Sequence, residues 1–169
     1  MALTKLNNNS LHAITDGSAL KNVTGSVIQV IHATDTNGFG VVSGSFTDTG
    51  LSATITPSST SSKILVTYSA SAGVNTAARM MLFNLVRGST NIGQPDSVQS
   101  FSSTRTIFVS GTDNSHQVHF EVYDSPATTS ATTYKVQCRI NGTGTIFVGR
   151  RSSDDAQQPV TLTLMEIAG

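Results

Sequence analysis

Near the end of the chain, residues 132–140 read Thr132-Thr133-Tyr134-Lys135-Val136-Gln137-Cys138-Arg139-Ile140. Apolar side chains recur there at every second position, from Tyr134 to Ile140. Successive side chains of a β-strand point to opposite faces of a sheet, so this alternation predicts a strand with one buried and one exposed face. Cys138 is in phase with the buried set, and as the only cysteine it excludes an intrachain disulfide. We therefore expect Cys138 to be a small core residue rather than a nucleophile.

The same period of two recurs along most of the chain. It predicts Val27–Ile31, one or two strands within Gly44–Thr56, Lys63–Ala70, Arg79–Arg87, Arg105–Ser110, His116–Tyr123, Thr132–Ile140, Thr145–Val148 and Val160–Ile167. No segment of about ten residues carries the apolar stripe of a helix. About nine or ten short strands at near-regular spacing predict an all-β fold, a jelly-roll-like antiparallel β-sandwich.

Turn signals separate these strands. Asp48-Thr49-Gly50 divides the Gly44–Thr56 region, and Arg87-Gly88-Ser89 follows the most apolar strand. Asn141-Gly142 lies between two apolar-patterned runs and is the strongest hairpin signal in the chain.

The most apolar strand, Arg79–Arg87, is predicted to be buried on both faces. Its two sides carry Met80, Leu82 and Val86, and Met81, Phe83 and Leu85. Two readings stay open for the arginines at its ends. Both guanidinium groups lie in water, or at least one lies at a subunit interface and pairs with Glu121 or Glu166.

Residues 1–25 differ from the rest because they are polar, rich in asparagine and only weakly periodic. They predict an extended N-terminal arm that orders against a partner, followed by a β-sandwich domain over residues 26–169. No apolar region typical of a secretory signal follows Met1, so we expect synthesis in a cytoplasm. No apolar stretch approaches the roughly 20 residues of a membrane span.

The charge balance narrows the range of partners. The formal net charge is zero, and only 12% of residues are charged, which is about half the usual share. Nothing in this balance favours phosphate backbones or anionic lipid, so we expect neither nucleic acid nor a membrane as partner. Serine and threonine together outnumber charged residues more than twofold, a surface chemistry typical of proteins that pack beside other protein.

The sequence holds few candidates for chemistry. His116 and His119 are three apart, so on one strand they point to opposite faces and do not converge on a metal. His12 and His32 stand alone, and Asp154-Asp155 is typical of a solvated turn. Glu121 and Glu166 are the only glutamates, although carboxylates from distant strands leave a glycosidase open as an alternative. We therefore predict no enzyme, with no catalytic, cofactor-binding or metal-binding residues.

Four segments together resemble a recurrent pattern in virion proteins of tailed bacteriophages. They are residues 51–66 (Leu51 to Val66, with the run Pro57-Ser58-Ser59-Thr60-Ser61-Ser62), 85–90, 133–137 and 162–167. The resemblance implies a trimeric jelly roll of the tumour-necrosis-factor or C1q type, found in fibre heads and capsid decorations.

This resemblance predicts a non-enzymatic structural protein located in the virion. We expect a homotrimer, since the chain has more apolar strand faces than one sandwich core needs. It would be a capsid decoration (cement) protein or a fibre-type component, attached to major capsid or tail proteins through residues 1–25. The alternative is a receptor- or glycan-binding tip of a tail fibre, with a host surface glycan as partner.

Overall fold

The computed structural model of the protein describes residues 24–42, 44–97, 99–112, 114–151 and 157–169. No helix among these residues is long and apolar enough to cross a membrane. The described residues form eleven strands: β1 (Val27–Asp35), β2 (Phe39–Val41), β3 (Thr47–Ile55), β4 (Lys63–Val74), β5 (Arg79–Arg87), β6 (Thr90–Ile92), β7 (Arg105–Val109), β8 (His116–Asp124), β9 (Thr132–Ile140), β10 (Ile146–Val148) and β11 (Val160–Ile167).

The strands pair antiparallel in two sheets. The first sheet holds β1, β11, β4 and β8 side by side, with β10 beside the end of β4 and β2 beside β10. The second holds β3, β9, β5 and β7, with β6 beside the end of β5. When the three-residue strands β2, β6 and β10 are set aside, eight strands remain. Of these, β1 pairs with β11, β3 with β9, β4 with β8, and β5 with β7, so that each pair encloses the next along the chain. This nested order is a jelly roll, so the predicted all-β sandwich is confirmed.

The core lies between the two sheets and follows the predicted alternation. Along β9 the buried residues are Tyr134, Val136, Cys138 and Ile140, which pack into one cluster with the inward side chains of β4, β5 and β11. Burial raises the pKa of the Cys138 thiol to about 12, so the thiol stays protonated at neutral pH. The prediction that Cys138 is a core residue is confirmed.

Strand β5 is buried on both faces, as predicted. Met81, Phe83 and Leu85 face the core between the sheets, whereas Leu82 and Val86 are buried on the outer side. The segment between β6 and β7 lies over that outer side, where Gln94 Nε2 donates to Asn84 Oδ1 at 2.7 Å. Arg139 contacts the same segment, because its guanidinium lies 5.9 Å from the Phe101 ring and its Nη2 donates to the Ser100 carbonyl. The guanidinium also lies 5.1 Å from the ring of Phe46, which precedes β3.

The hairpin predicted at Asn141-Gly142 is wrong. Strand β9 pairs with β3 and β5, whereas β10 pairs with β2 and β4, so this turn carries the chain from one sheet to the other. Gly142 and Gly144 both adopt positive φ, of 97° and 128°. An Asn-Gly pair supplies positive φ to any tight reversal, and the alternation of the flanking strands does not say which sheet the chain enters next.

The division predicted at Asp48-Thr49-Gly50 is also wrong, because β3 runs unbroken through it. The pairing of β3 with β9 instead shifts register between Asp48 and Ser52, where Gly50 has a φ of 83°. A bulge of this kind uses turn-type residues without ending the strand. The two short strands β2 and β6 were not predicted. The turn at Gly88-Ser89 is a hairpin between β5 and β6, as its sequence indicates.

Candidate assembly surface

The outer face of the first sheet carries an apolar row that crosses four strands. The register places Val30 of β1 opposite Met165 of β11, Met165 opposite Leu65 of β4, and Leu65 opposite Tyr123 of β8. All four side chains point away from the core, because the alternate residues of each strand fill it. Val30 is 52% exposed and Tyr123 60% exposed.

A second row beside it extends the apolar area. Val27 of β1, which is 54% exposed, pairs with Ile167 of β11, and Ile167 pairs with Lys63 of β4. We call the six apolar residues of these two rows the apolar band: Val27, Val30, Leu65, Tyr123, Met165 and Ile167. A contiguous exposed apolar patch on a folded domain marks a surface that binds another surface.

The rest of this face is polar but nearly uncharged. The next row contains His32, Thr163, Thr67 and Glu121. His32 is held between two hydroxyls, with Nδ1 at 2.8 Å from Thr163 Oγ1 and Nε2 at 3.0 Å from Thr34 Oγ1. The apolar band thus lies at one end of this face, beside a polar area of low charge, and interfaces likewise combine an apolar part with a polar one.

The two histidines of β8 are the remaining candidate pair among the described residues. His116 and His119 lie on opposite faces of β8, as their spacing predicts, and His119 is exposed. Within the described part of the chain, no three His, Cys, Asp or Glu residues lie close enough to hold a metal ion. His12 and Asp154-Asp155 lie outside the described residues.

Arg87 has a carboxylate partner, but it is Asp124 rather than Glu121 or Glu166. Arg87 Nη1 donates to both Asp124 oxygens at 2.8 Å, and the Tyr134 hydroxyl donates to Asp124 Oδ2 at 2.7 Å. This trio joins β5, β8 and β9 at one end of the sandwich. Asp124 falls in phase with the buried residues of β8, and a carboxylate at a core position is the signal that could have predicted it.

The other arginine of β5 has no carboxylate partner among the described residues. Arg79 donates through Nε to the Thr143 carbonyl and through Nη1 to the Ala78 carbonyl, both at 3.2 Å. Within the described chain, neither arginine of β5 contacts Glu121 or Glu166, so a pairing with a glutamate across a subunit interface stays a prediction.

Glu166 is a fully buried carboxylate that neutral donors satisfy. Its Oε1 accepts from the Ser58 amide, the Ser58 hydroxyl and the Ser62 hydroxyl at 2.6–2.7 Å, and its Oε2 accepts from Gln29 Nε2 at 2.6 Å. Burial alone would raise the pKa of Glu166, but these hydrogen bonds together hold it below its ordinary value of 4.5. These hydrogen bonds connect the serine-rich segment after β3 to β11.

Glu166→Gln is expected to destabilise the fold by about 2 kcal/mol, because an amide cannot accept from all four donors. The substitution should also remove the part of the free energy of unfolding that is lost when the pH is lowered. Since folding lowers the pKa of Glu166, its carboxylate contributes stability that is complete above pH 4.5 and is lost as pH falls through the folded pKa. Urea unfolding between about pH 7 and pH 3 measures both effects.

The control is Glu121→Gln, which changes the exposed glutamate of the outer face and should leave the stability at neutral pH unchanged. If the stability of Glu166→Gln fell between pH 7 and pH 3 by as much as that of the native chain, Glu166 would not be the source of this pH dependence.

No protein-family model matches the chain, and no curated protein matches it in sequence. Among solved structures, a chain of infectious bursal disease virus Gt strain is 14% identical, with a TM-score of 0.45 over 85% of this chain and 39% of that one. A mutant VP2 protein of the same virus, in derived T=1 particles, is 15% identical, with a TM-score of 0.44 over 85% of this chain and 37% of that one. Dimeric latent PorU from Porphyromonas gingivalis gives 10% identity and a TM-score of 0.37, over 87% of this chain and 14% of that one. The chain thus spans about two fifths of the two viral chains, and its jelly-roll assignment rests on its own strand order.

Proposed function

We propose that the chain is a non-enzymatic structural protein of a virion and assembles as a homotrimer through the outer face of the first sheet. The apolar band is the observation that carries this proposal. The core of the sandwich is complete without these six side chains, so nothing inside the monomer requires apolar residues there. Burying them between copies removes apolar surface from water, at about 25 cal/mol for each Å². In a closed cyclic assembly every copy buries this surface, and no unpaired copy remains at an end to extend the assembly into a filament.

The resemblance to tailed-phage virion proteins supports the phage assignment. Two of the resembling segments, residues 51–66 and 162–167, meet at Glu166, where Ser58 and Ser62 hold the carboxylate. The resemblance therefore falls on residues that make a specific contact, and not only on generic alternation. Within the virion, we favour a capsid decoration (cement) protein or a fibre-type component.

Residues 1–25 are proposed as the anchor to major capsid or tail proteins. Only Thr24 and Gly25 of this segment are among the described residues. Gly25 N donates to the Ala168 carbonyl at 2.8 Å, so the chain enters β1 beside the end of β11. Gly25 thus lies at the same edge of the first sheet as Val27.

Deletion of residues 1–23 is expected to leave a folded body with the mass of the native assembly that no longer joins the virion. This boundary keeps the hydrogen bond between Gly25 and Ala168 and all eleven strands. The measurement is co-sedimentation of the full-length and shortened proteins with particles lacking the native protein. Equal recovery of both proteins on the particles would contradict the anchoring role.

A second candidate function, a receptor- or glycan-binding tip of a tail fibre, is favoured by a different observation. A cavity of about 330 Å³ opens beside Arg87 at one end of the sandwich. Host-cell adsorption in the presence of the isolated protein separates the two candidates, since only a binding tip would compete with the phage.

A further inference from the structure

The cavity lies between the hairpin after β5 and the segment that joins β8 to β9. Besides Gly88, its walls are formed by Arg87, Pro126, Thr128, Ala131, Thr132 and Thr133. A volume of about 330 Å³ is at the lower end of the range for small-molecule sites, roughly 300–1,000 Å³. The cavity is therefore sized for a small ligand or for one end of a larger one.

Arg87 is held in one orientation and still has donors to offer. Its Nη1 group donates to Asp124 and to the Ser125 carbonyl, at 2.8 and 3.2 Å. These three hydrogen bonds all use Nη1, so Nε and Nη2 are not engaged by Asp124 or Ser125, and the side chain is 27% exposed. Because the Asp124 carboxylate balances the guanidinium charge, the cavity presents fixed N–H donors without a net positive charge.

The threonines beside it add one donor and one acceptor. Thr128 Oγ1 accepts from the Ser130 amide at 3.1 Å, which leaves its own hydrogen free to donate. Thr132 Oγ1 donates to the Ser130 carbonyl at 3.0 Å, which leaves its lone pairs free to accept. Between these positions, Pro126 and Ala131 provide apolar wall.

The loop that carries these residues holds a strained backbone. Ala127 has a φ of 52°, in the left-handed region that residues other than glycine rarely adopt. Such a conformation persists only where surrounding contacts impose it, which is frequent at ligand sites.

We infer that this cavity binds one ring of a neutral saccharide. Hydroxyl groups both donate and accept, so a sugar satisfies the free donors of Arg87 and Thr128 together with the free acceptor of Thr132, while its C–H face packs on Pro126 and Ala131. A phosphate or sulfate is an anion that offers mainly acceptor oxygens, and it would meet a guanidinium whose charge Asp124 already balances. The inference concerns the isolated protein and holds whether or not the protein is part of a virion.

The test is saturation-transfer NMR of the full chain with free glucose, galactose, mannose and N-acetylglucosamine, beside glucuronic acid and inorganic phosphate. At least one neutral sugar should bind at millimolar concentration, more tightly than glucuronic acid. Thr132→Val should lower the affinity for that sugar roughly tenfold, which corresponds to the loss of about one hydrogen bond. Ala131→Leu should abolish binding, because the larger side chain fills the cavity. Phosphate binding is followed by the 31P signal.

Thr106→Val is the matched control, because Thr106 likewise bonds to a loop serine, Ser103, but lies on β7 away from the cavity. It should bind the sugar as the native chain does. The inference is overturned if no neutral sugar binds, if only glucuronic acid or phosphate binds, or if Ala131→Leu binds as well as the native chain.

Discussion

Asp124→Asn is expected to cost about 3 kcal/mol of folding free energy, the largest effect of any single polar substitution in the described chain. Asp124 is nearly buried, and its carboxylate accepts from both Arg87 and the Tyr134 hydroxyl. The asparagine amide leaves the Arg87 guanidinium without a negative partner. It also has one acceptor oxygen, whereas both oxygens of the Asp124 carboxylate accept hydrogen bonds. Urea unfolding at a fixed protein concentration measures the loss, since assembly makes stability depend on concentration.

The chain offers a matched control in its other aspartate–cation pair. Asp48 and Lys135 lie 2.8 Å apart, but their side chains are 50% and 30% exposed. Asp48→Asn should therefore cost under about 1 kcal/mol. Replacing Arg87 by Met in the Asp124→Asn chain should recover part of the loss, because no unpaired charge remains. Equal losses for the two asparagine variants would show that the Arg87–Asp124 pair is no more important than an exposed one.

Leu65→Glu is expected to convert the assembly to monomers. Leu65 lies between Met165 and Tyr123 in the centre of the apolar band, and it is only half-buried in the isolated chain, so the monomer tolerates a carboxylate there. In an assembly that covers the band, each copy would bury an unpaired charge at a cost of about 3 kcal/mol or more. That cost weakens each contact more than a hundredfold. Light scattering over a micromolar concentration series measures the change.

Phe108→Glu is the control for this substitution. Phe108 is 62% exposed on the outer face of the second sheet, away from the apolar band. Its replacement should leave the assembly intact. If Leu65→Glu remained associated like Phe108→Glu, the outer face of the first sheet would not be the assembly surface.

The sequence predicted the strands whose residues are half-buried, because alternation is a local signal. Strands β9 and β11 were predicted with their observed ends, since each is long enough to show its period several times, and β5 was predicted with its observed ends from its nearly continuous apolar run. The sequence did not predict which sheet the chain enters after Asn141, because the pairing partners of a strand are set by contacts between distant segments. The short strand at residues 39–41 exists only because β10 lies beside it.

The candidate surface was beyond prediction for the same reason. Val30, Leu65, Tyr123 and Met165 come from four separate segments, and each reads as an ordinary exposed-face residue in its own strand. Only the cross-strand register aligns them in one row. The sequence did indicate a surplus of apolar faces and hence self-association, which stays a prediction, as does the anchoring arm over residues 1–25.

The most direct test of the account is the mass of the isolated full-length chain in solution, measured by sedimentation equilibrium at micromolar concentration. A homotrimer gives a species of three times the 17.7 kDa chain mass that persists on dilution through the micromolar range. A single species of 17.7 kDa across that range would contradict it.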